Sequence, residues 1–196
     1  MNHVLEPVLS YLRISKVKRY INKCSNPILL DIGCGQKHLL LNRIKNNINK
    51  GYGIDENITS KSFQNIKIIN KNVENGIPFL NNEIDVVTIL AVLEHLNNPV
   101  FILREIERVL KPGGMLLMTV PSSWSKPVLE FLAYKLSIID PLQIKDHKTY
   151  YNYKKLSDIF SKVEGLFIKK HKYFQLFMNN FVLAQKKFDS GISSTN

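Results

Sequence analysis

Two rhythms of apolar positions run along this chain. Over the first 25 residues Val4, Leu5, Val8, Leu9, Leu12, Val17 and Ile21 recur mostly at helical spacing, with basic residues between them. That spacing predicts an amphipathic helix, or two short ones, packed on the domain in preference to lying on a membrane surface. From Pro27 onward short continuous apolar runs take over: ILLDI (28–32), GYGID (51–55), NIKIIN (65–70), IDVVTIL (84–90) and GMLLMTV (114–120). Apolar runs of this length predict strands buried on both faces of a parallel sheet. Helical patterns separate them. HLLLNRIKNN follows the first, and PVFILREIERVL stands between the last two, with Pro99 at its start and Lys111 to Gly114 closing it. Strands alternating with helices predict an α/β domain with a doubly wound, mostly parallel sheet and helices on both faces.

The last third changes character. An apolar segment at 124–142 is followed by the polar stretch QIKDHKTYYNYKK and the helical pattern LSDIFSKV. GLFIKKHKYF and NNFVLAQKKF then read as two strands joined by a short connection, hence antiparallel to each other. The expected sheet therefore has seven strands, the last one antiparallel. We expect an N-terminal helical segment at 1–26, one domain at 27–187 with an acceptor-side lid at 122–153, and a frayed tail at 188–196.

Length and composition agree with one globular domain: 196 residues, 44% hydrophobic and 22% charged. No run approaches the roughly 20 apolar residues that cross a bilayer, and the first residues lack the order of a secretion signal, so a cytoplasmic protein is expected. Cys24 and Cys34 have no Cys or His at ligand spacing, which predicts neither a disulfide framework nor a metal site. The net charge of +11 raises the question of a nucleic acid or an anionic membrane surface as partner. Only five of the 27 basic residues are Arg, and the lysines are scattered apart from clusters at Lys16, Lys18, Arg19, Lys23 and at Lys169, Lys170, Lys172. Solvated surface is the favoured reading over a phosphate track, because phosphate and base readers tend to use Arg with interleaved aromatics.

Open parallel sheets bind ligands at the carboxyl ends of their strands. There the chain places Asp31 with Gly33 and Gly35, then Asp55, then Leu90 to His95, and Pro121 to Ser123. Asp55 lies 20 residues beyond Gly35, the distance at which a carboxylate accepts the hydroxyls of a ribose. The glycines read GxGxxH, however, with His38 in place of the third. A pyrophosphate fits poorly beside the Asp31 charge, whereas a cationic group suits it. Ribose, cation and no phosphate describe S-adenosylmethionine.

At LLDIGCG, YGID, IDVVTILAVLEHL and RVLKPGGMLLMTVP, in this order over residues 27 to 121, the chain resembles the class I S-adenosylmethionine-dependent methyltransferases, a Rossmann-like fold. The resemblance implies an S-adenosylmethionine cofactor with S-adenosylhomocysteine as product. Gly33, Cys34 and Gly35 would form the close turn, with Asp31 on the methionyl ammonium and Asp55 on the ribose. Glu56, Asn72 and Val73 would surround the adenine, with Asn72 where many relatives carry Asp. Leu90, Ala91 and His95 would line the methionyl side.

The acceptor is the thinner part of the reading. The closing pattern HKTYYNYKKLSDIF is similar to small methyltransferases of glycan and lipid-linked saccharide pathways, and the whole to ubiquinone-type enzymes. The expected reaction is methylation, at oxygen, of a small-molecule or saccharide acceptor, with peripheral membrane contact compatible with it. A hydroxyl acceptor needs a proton acceptor. The candidates are His147 and His95, with Asp146, Tyr150, Tyr151 and Tyr153 nearby, set against plain packing roles. Trp124, Phe131 and Tyr134 are candidates to stack on a ring, against helical core packing. No metal is expected, and the oligomeric state is not legible. An RNA methyltransferase, motivated by the charge, and a catalytically silent partner subunit are the alternatives. The LAVL that follows the fourth strand lacks the motif used to methylate base amino groups.

Overall fold

The computed structural model describes residues 5–125 and 148–188. Helix α1 (Leu5–Ile21) leads into β1 (Ile28–Ile32), α2 (Leu39–Ile44), β2 (Lys50–Asp55), β3 (Lys61–Phe63), β4 (Ile66–Asn70), β5 (Ile84–Leu90), α3 (Pro99–Val109) and β6 (Leu110–Pro121). After the undescribed stretch come α4 (Tyr153–Phe160), β7 (Leu166–Phe174) and β8 (Asn179–Lys186). The expected positions Phe131, Tyr134, Asp146 and His147, most of the 124–142 segment and nearly all of the tail lie outside the described residues.

The strands form one sheet in the order β3-β4-β2-β1-β5-β6-β8-β7. β4, β2, β1, β5 and β6 are mutually parallel, and β8 runs antiparallel to both β6 and β7. The doubly wound, mostly parallel α/β sheet is thus observed, with eight strands where seven were expected. The extra one is β3, three residues antiparallel to β4 at the edge. Its sequence, KSF, is too short and too polar to register as an apolar run.

Alternate side chains of each strand feed opposite faces. Leu29, Val86 and Leu117 pack with Ile14, Val17 and Ile21 of α1 and Leu40, Leu41 and Ile44 of α2. Leu30, Val87 and Leu116 pack on the other face with Ile102, Leu103 and Ile106 of α3 and Leu156 and Phe160 of α4. Helices therefore cover both faces, and α1 is a packed helix. The Asn98 side chain caps α3 by accepting from the Phe101 amide at 3.0 Å, just ahead of Pro99. Ile84 pairs with Leu110 and Val86 with Met115, so Lys111 to Gly114 bulge out of the ladder. Lys111 meets Asp85 at 2.8 Å, and Asp85 also accepts from the Ile28 amide at 2.8 Å. The turn thus locks three strands together and stands away from the ligand edge. Among the described residues no helix is long and apolar enough to cross a membrane.

Candidate active site

The carboxyl ends of β1, β2 and β5 converge on the turn 33–38. Gly33 and Gly35 take φ of +71° and +64°, a region open to glycine at little cost. The Gly33 and Cys34 amides both donate to the Ile54 carbonyl, at 2.8 and 3.2 Å, which draws the turn over β2. A Cβ on Gly33 would lie 2.2 Å from Val92, whereas one on Gly35 would enter open space. The Cys34 thiol fills the room above Gly53, where a Cβ would come within 2.7 Å of the sulfur. Burial, then the charges of Asp31 and Asp55, push this thiol up to about 12, so it is an inert packing group.

His38 occupies the place of a third glycine by adopting φ 45° at the head of α2. Its ring is buried, 3.7 Å from the Cys34 sulfur through Nδ1 and tilted against Phe63. The turn therefore closes on an aromatic contact where dinucleotide loops close on bare backbone.

Asp31 is 4% exposed. In register with it across β5 stands Thr88, whose hydroxyl donates to Asp31 at 2.6 Å. Burial pushes the Asp31 carboxyl up to about 7; the Thr88 bond pulls it down, and the charge of Asp55 adds to the rise. A group with this shift is ready to take a cation beside it, since a positive charge restores its ionised form. Asp55 accepts from the Gly35 amide at 3.0 Å and from the Asn57 amide at 2.9 Å, one on each oxygen. Each oxygen keeps a lone pair, so the carboxylate is held in place with capacity for two hydroxyl donors.

Two adjoining cavities share Gly33. One, of about 380 Å³, is lined by Asp55, Glu56, Asn72, Val73, Ala91 and His95, joined by Lys71, Glu74 and Lys148. The other, of about 500 Å³, runs from Asp31, Cys34, Gly35 and Leu90 to Ser10, Arg13 and Ile14 of α1. Every expected cofactor residue among these lines one of the two. Ala91 and His95 line the cavity of Asp55, whereas Leu90 lines that of Asp31. Asn72 donates to Glu56 at 2.6 Å and accepts from the Glu74 amide at 2.8 Å, so both ends of its amide are already engaged. Tyr151 is 2% exposed, and burial, then the Glu94 charge, push its hydroxyl up to about 12. Tyr153 is half exposed and packs on His171.

Residues 30–118 match the family model for a methyltransferase domain. Over that segment the chain is similar to methyltransferase domains. It is 31% identical over 131 residues to the demethylmenaquinone methyltransferase of Staphylococcus saprophyticus, across 62% of this chain and 55% of that one. It is 26% identical over 117 residues to the tRNA U34 carboxymethyltransferase of Nautilia profundicola, across 56% of this chain and 39% of that protein. The chain thus spans about half or less of the relatives it matches. In fold it is similar to the plantazolicin methyltransferase BamL, solved with S-adenosylhomocysteine, at a TM-score of 0.69 over 92% of this chain and 87% of that one with 16% identity.

Within the candidate site the residues missed from sequence are Thr88 and the α1 wall. Thr88 was marked by being the lone hydroxyl in an otherwise apolar stretch of β5. Ser10, Arg13 and Ile14 carried no local signal, because only the docking of α1 over the turn brings them to the cavity.

Proposed function

We propose that the protein is a methyltransferase that binds S-adenosylmethionine across the Gly33–Gly35 turn and methylates a small-molecule or saccharide acceptor. The observation that carries this reading is the pair of carboxylates flanking the turn: a buried Asp31 pushed up to about 7 and an amide-anchored Asp55. Asp31, oriented by Thr88, would hold the methionyl ammonium. Asp55 would hold the ribose, and Glu56, Asn72 and Val73 would border the adenine. When bound, the sulfonium supplies a methyl group already activated toward nucleophiles.

The chain's own task is then alignment and exclusion of water. Leu90, together with Ser10, Arg13 and Ile14, would form the wall along which the acceptor lies. For a hydroxyl acceptor, His147 and His95 are the proposed bases, and His95 lines the cavity that holds Asp55. The similarity to demethylmenaquinone methyltransferase supports an aromatic ring as acceptor class beside a saccharide.

Calorimetry with S-adenosylmethionine and S-adenosylhomocysteine tests the cofactor half, with binding expected for the wild type and lost in Asp55→Ala. Mass spectrometry after incubation with labelled cofactor and panels of saccharides, quinone precursors and RNA tests the acceptor half. An RNA acceptor has the similarity to a tRNA-modifying enzyme and the +11 charge in its favour. Strongly salt-dependent RNA binding followed by RNA methylation would establish it in place of the small molecule.

A further inference from the structure

The β7–β8 hairpin ends in a turn that is costly to make. Gln175, Leu176 and Phe177 are three successive left-handed residues, with φ of 52°, 54° and 65°, and none is glycine. The turn displays Leu176 and Phe177 at 90% and 67% exposure. It is not loose. The Gln175 side chain donates to the Leu9 carbonyl of α1 at 2.9 Å, and Ser122 donates to the carbonyls of Phe177, through its hydroxyl at 2.6 Å, and Met178, through its amide at 2.9 Å. A strained backbone, pinned at both ends, holds Leu176 out in water and Phe177 mostly exposed, its ring centre 6.0 Å from that of Tyr173.

The surroundings say what such a tip meets. Asn179 pairs with Pro121 at the end of β6, so the tip overhangs the same carboxyl edge as the candidate active site. Trp124, just past Ser122, is 74% exposed, and the outer side of α1 adds Val8, Tyr11 and Leu12 at 50%, 54% and 42%. Beside this apolar rim Lys16 and Arg19 of α1 gather with Lys170 and Lys172 of β7. The Lys16 ammonium lies 5.6 Å from the ring centre of Phe174, and Lys170 lies 5.9 Å from that of Tyr20. Burial and then the three like charges hold the Lys16 ammonium below its ordinary range. Crowded cations next to exposed Leu, Val, Phe and Trp match a surface that offers anionic headgroups with hydrocarbon beneath. A nucleic acid would satisfy the cations and leave Leu176, Val8 and Leu12 without a partner.

We infer that this rim, made of the Gln175–Met178 turn, Trp124 and the outer side of α1 with its lysine–arginine cluster, docks the protein on an anionic lipid bilayer. Docking would lay the carboxyl edge, and with it the mouth of the Asp31 cavity, against the membrane. The inference rests on the proposed methyltransferase reading only for its purpose, since vesicle binding needs neither cofactor nor turnover.

The test is co-sedimentation with vesicles of phosphatidylcholine alone and of phosphatidylcholine containing about 30% phosphatidylglycerol, together with the emission of Trp124, the only tryptophan. The wild type should pellet with the anionic vesicles, and its emission should shift to the blue. The double variant Leu176→Ser, Phe177→Ser should lose most of the bound fraction, by about tenfold or more. Lys170→Glu with Lys172→Glu should abolish the preference for anionic lipid, while Lys67→Glu, on the far edge of the sheet, should leave it intact. Cofactor calorimetry on the same variants separates a damaged fold from a lost membrane contact. Three results would overturn the inference: no pelleting with either vesicle, an unshifted Trp124 on bound vesicles, or displacement from vesicles by RNA with the tip variant binding as the wild type does. Should the tip variant not fold, the wild-type Trp124 emission alone decides.

Discussion

Asp31 is the residue on which the candidate site turns. Its carboxyl is buried, sits at about 7, and has Thr88 as its hydrogen-bond donor at 2.6 Å. Binding a cation there requires the ionised form. Cofactor affinity should therefore be flat above pH 7 and weaken by about tenfold for each pH unit below it. Calorimetry at pH 6, 7 and 8 measures this. Asp31→Asn should bind weakly at every pH, without the slope. Thr88→Val removes the bond that favours the charged form, so it should weaken binding at pH 7 by about tenfold, and by less as pH rises toward 8. Asp31 itself was legible from sequence, as an acid closing an apolar strand ahead of glycines. The partnership of Thr88 with it was not, because that depends on strand register, which sets the two side by side although they stand 57 positions apart in the chain.

At the scale of elements, the turn between β1 and α2 uses its two glycines differently, and substitution separates them. Gly33→Ala drives a Cβ into Val92 at a left-handed position, and should destabilise the fold by about 2–4 kcal/mol in urea unfolding. Gly35→Ala meets only open space, so it should cost about 1 kcal/mol of backbone strain. That open space is where the ligand is proposed to lie. Gly35→Ala should then keep the fold yet lose at least tenfold in cofactor affinity, a split that a purely structural turn would not show. Parallel strands and well-patterned helices such as α3 were legible because continuous apolar runs and 3.6-residue spacing are imposed by the core. The edge strand β3 buries too little to leave such a run. The left-handed tip at Gln175 to Phe177 was not legible either, because QLF contains none of the residues that usually announce that conformation. It is held from outside, by Leu9 and Ser122.

At the scale of the molecule, stability and ligand binding are coupled through the same carboxylate. In the free protein Asp31 binds its proton up to about pH 7, while in the unfolded chain it releases it near 3.8. Between those values the native state holds more protons, so this group's contribution to stability falls as pH rises, and it is level above 7. A bound cation reverses the preference by favouring the ionised form. The stabilisation conferred by the cofactor should therefore grow with pH until about 7. At about 100 times the dissociation constant a ligand adds about 2.7 kcal/mol, which in a chain of this size raises the melting temperature by about 5–10 °C. At pH 6 the same cofactor concentration should give about half that rise, since the affinity is tenfold lower and about 1.4 kcal/mol is lost. Melting curves with and without S-adenosylhomocysteine at pH 6 and pH 8 measure the difference. Equal shifts at the two values would place the cation somewhere other than beside Asp31, and with it the orientation proposed for the whole cofactor.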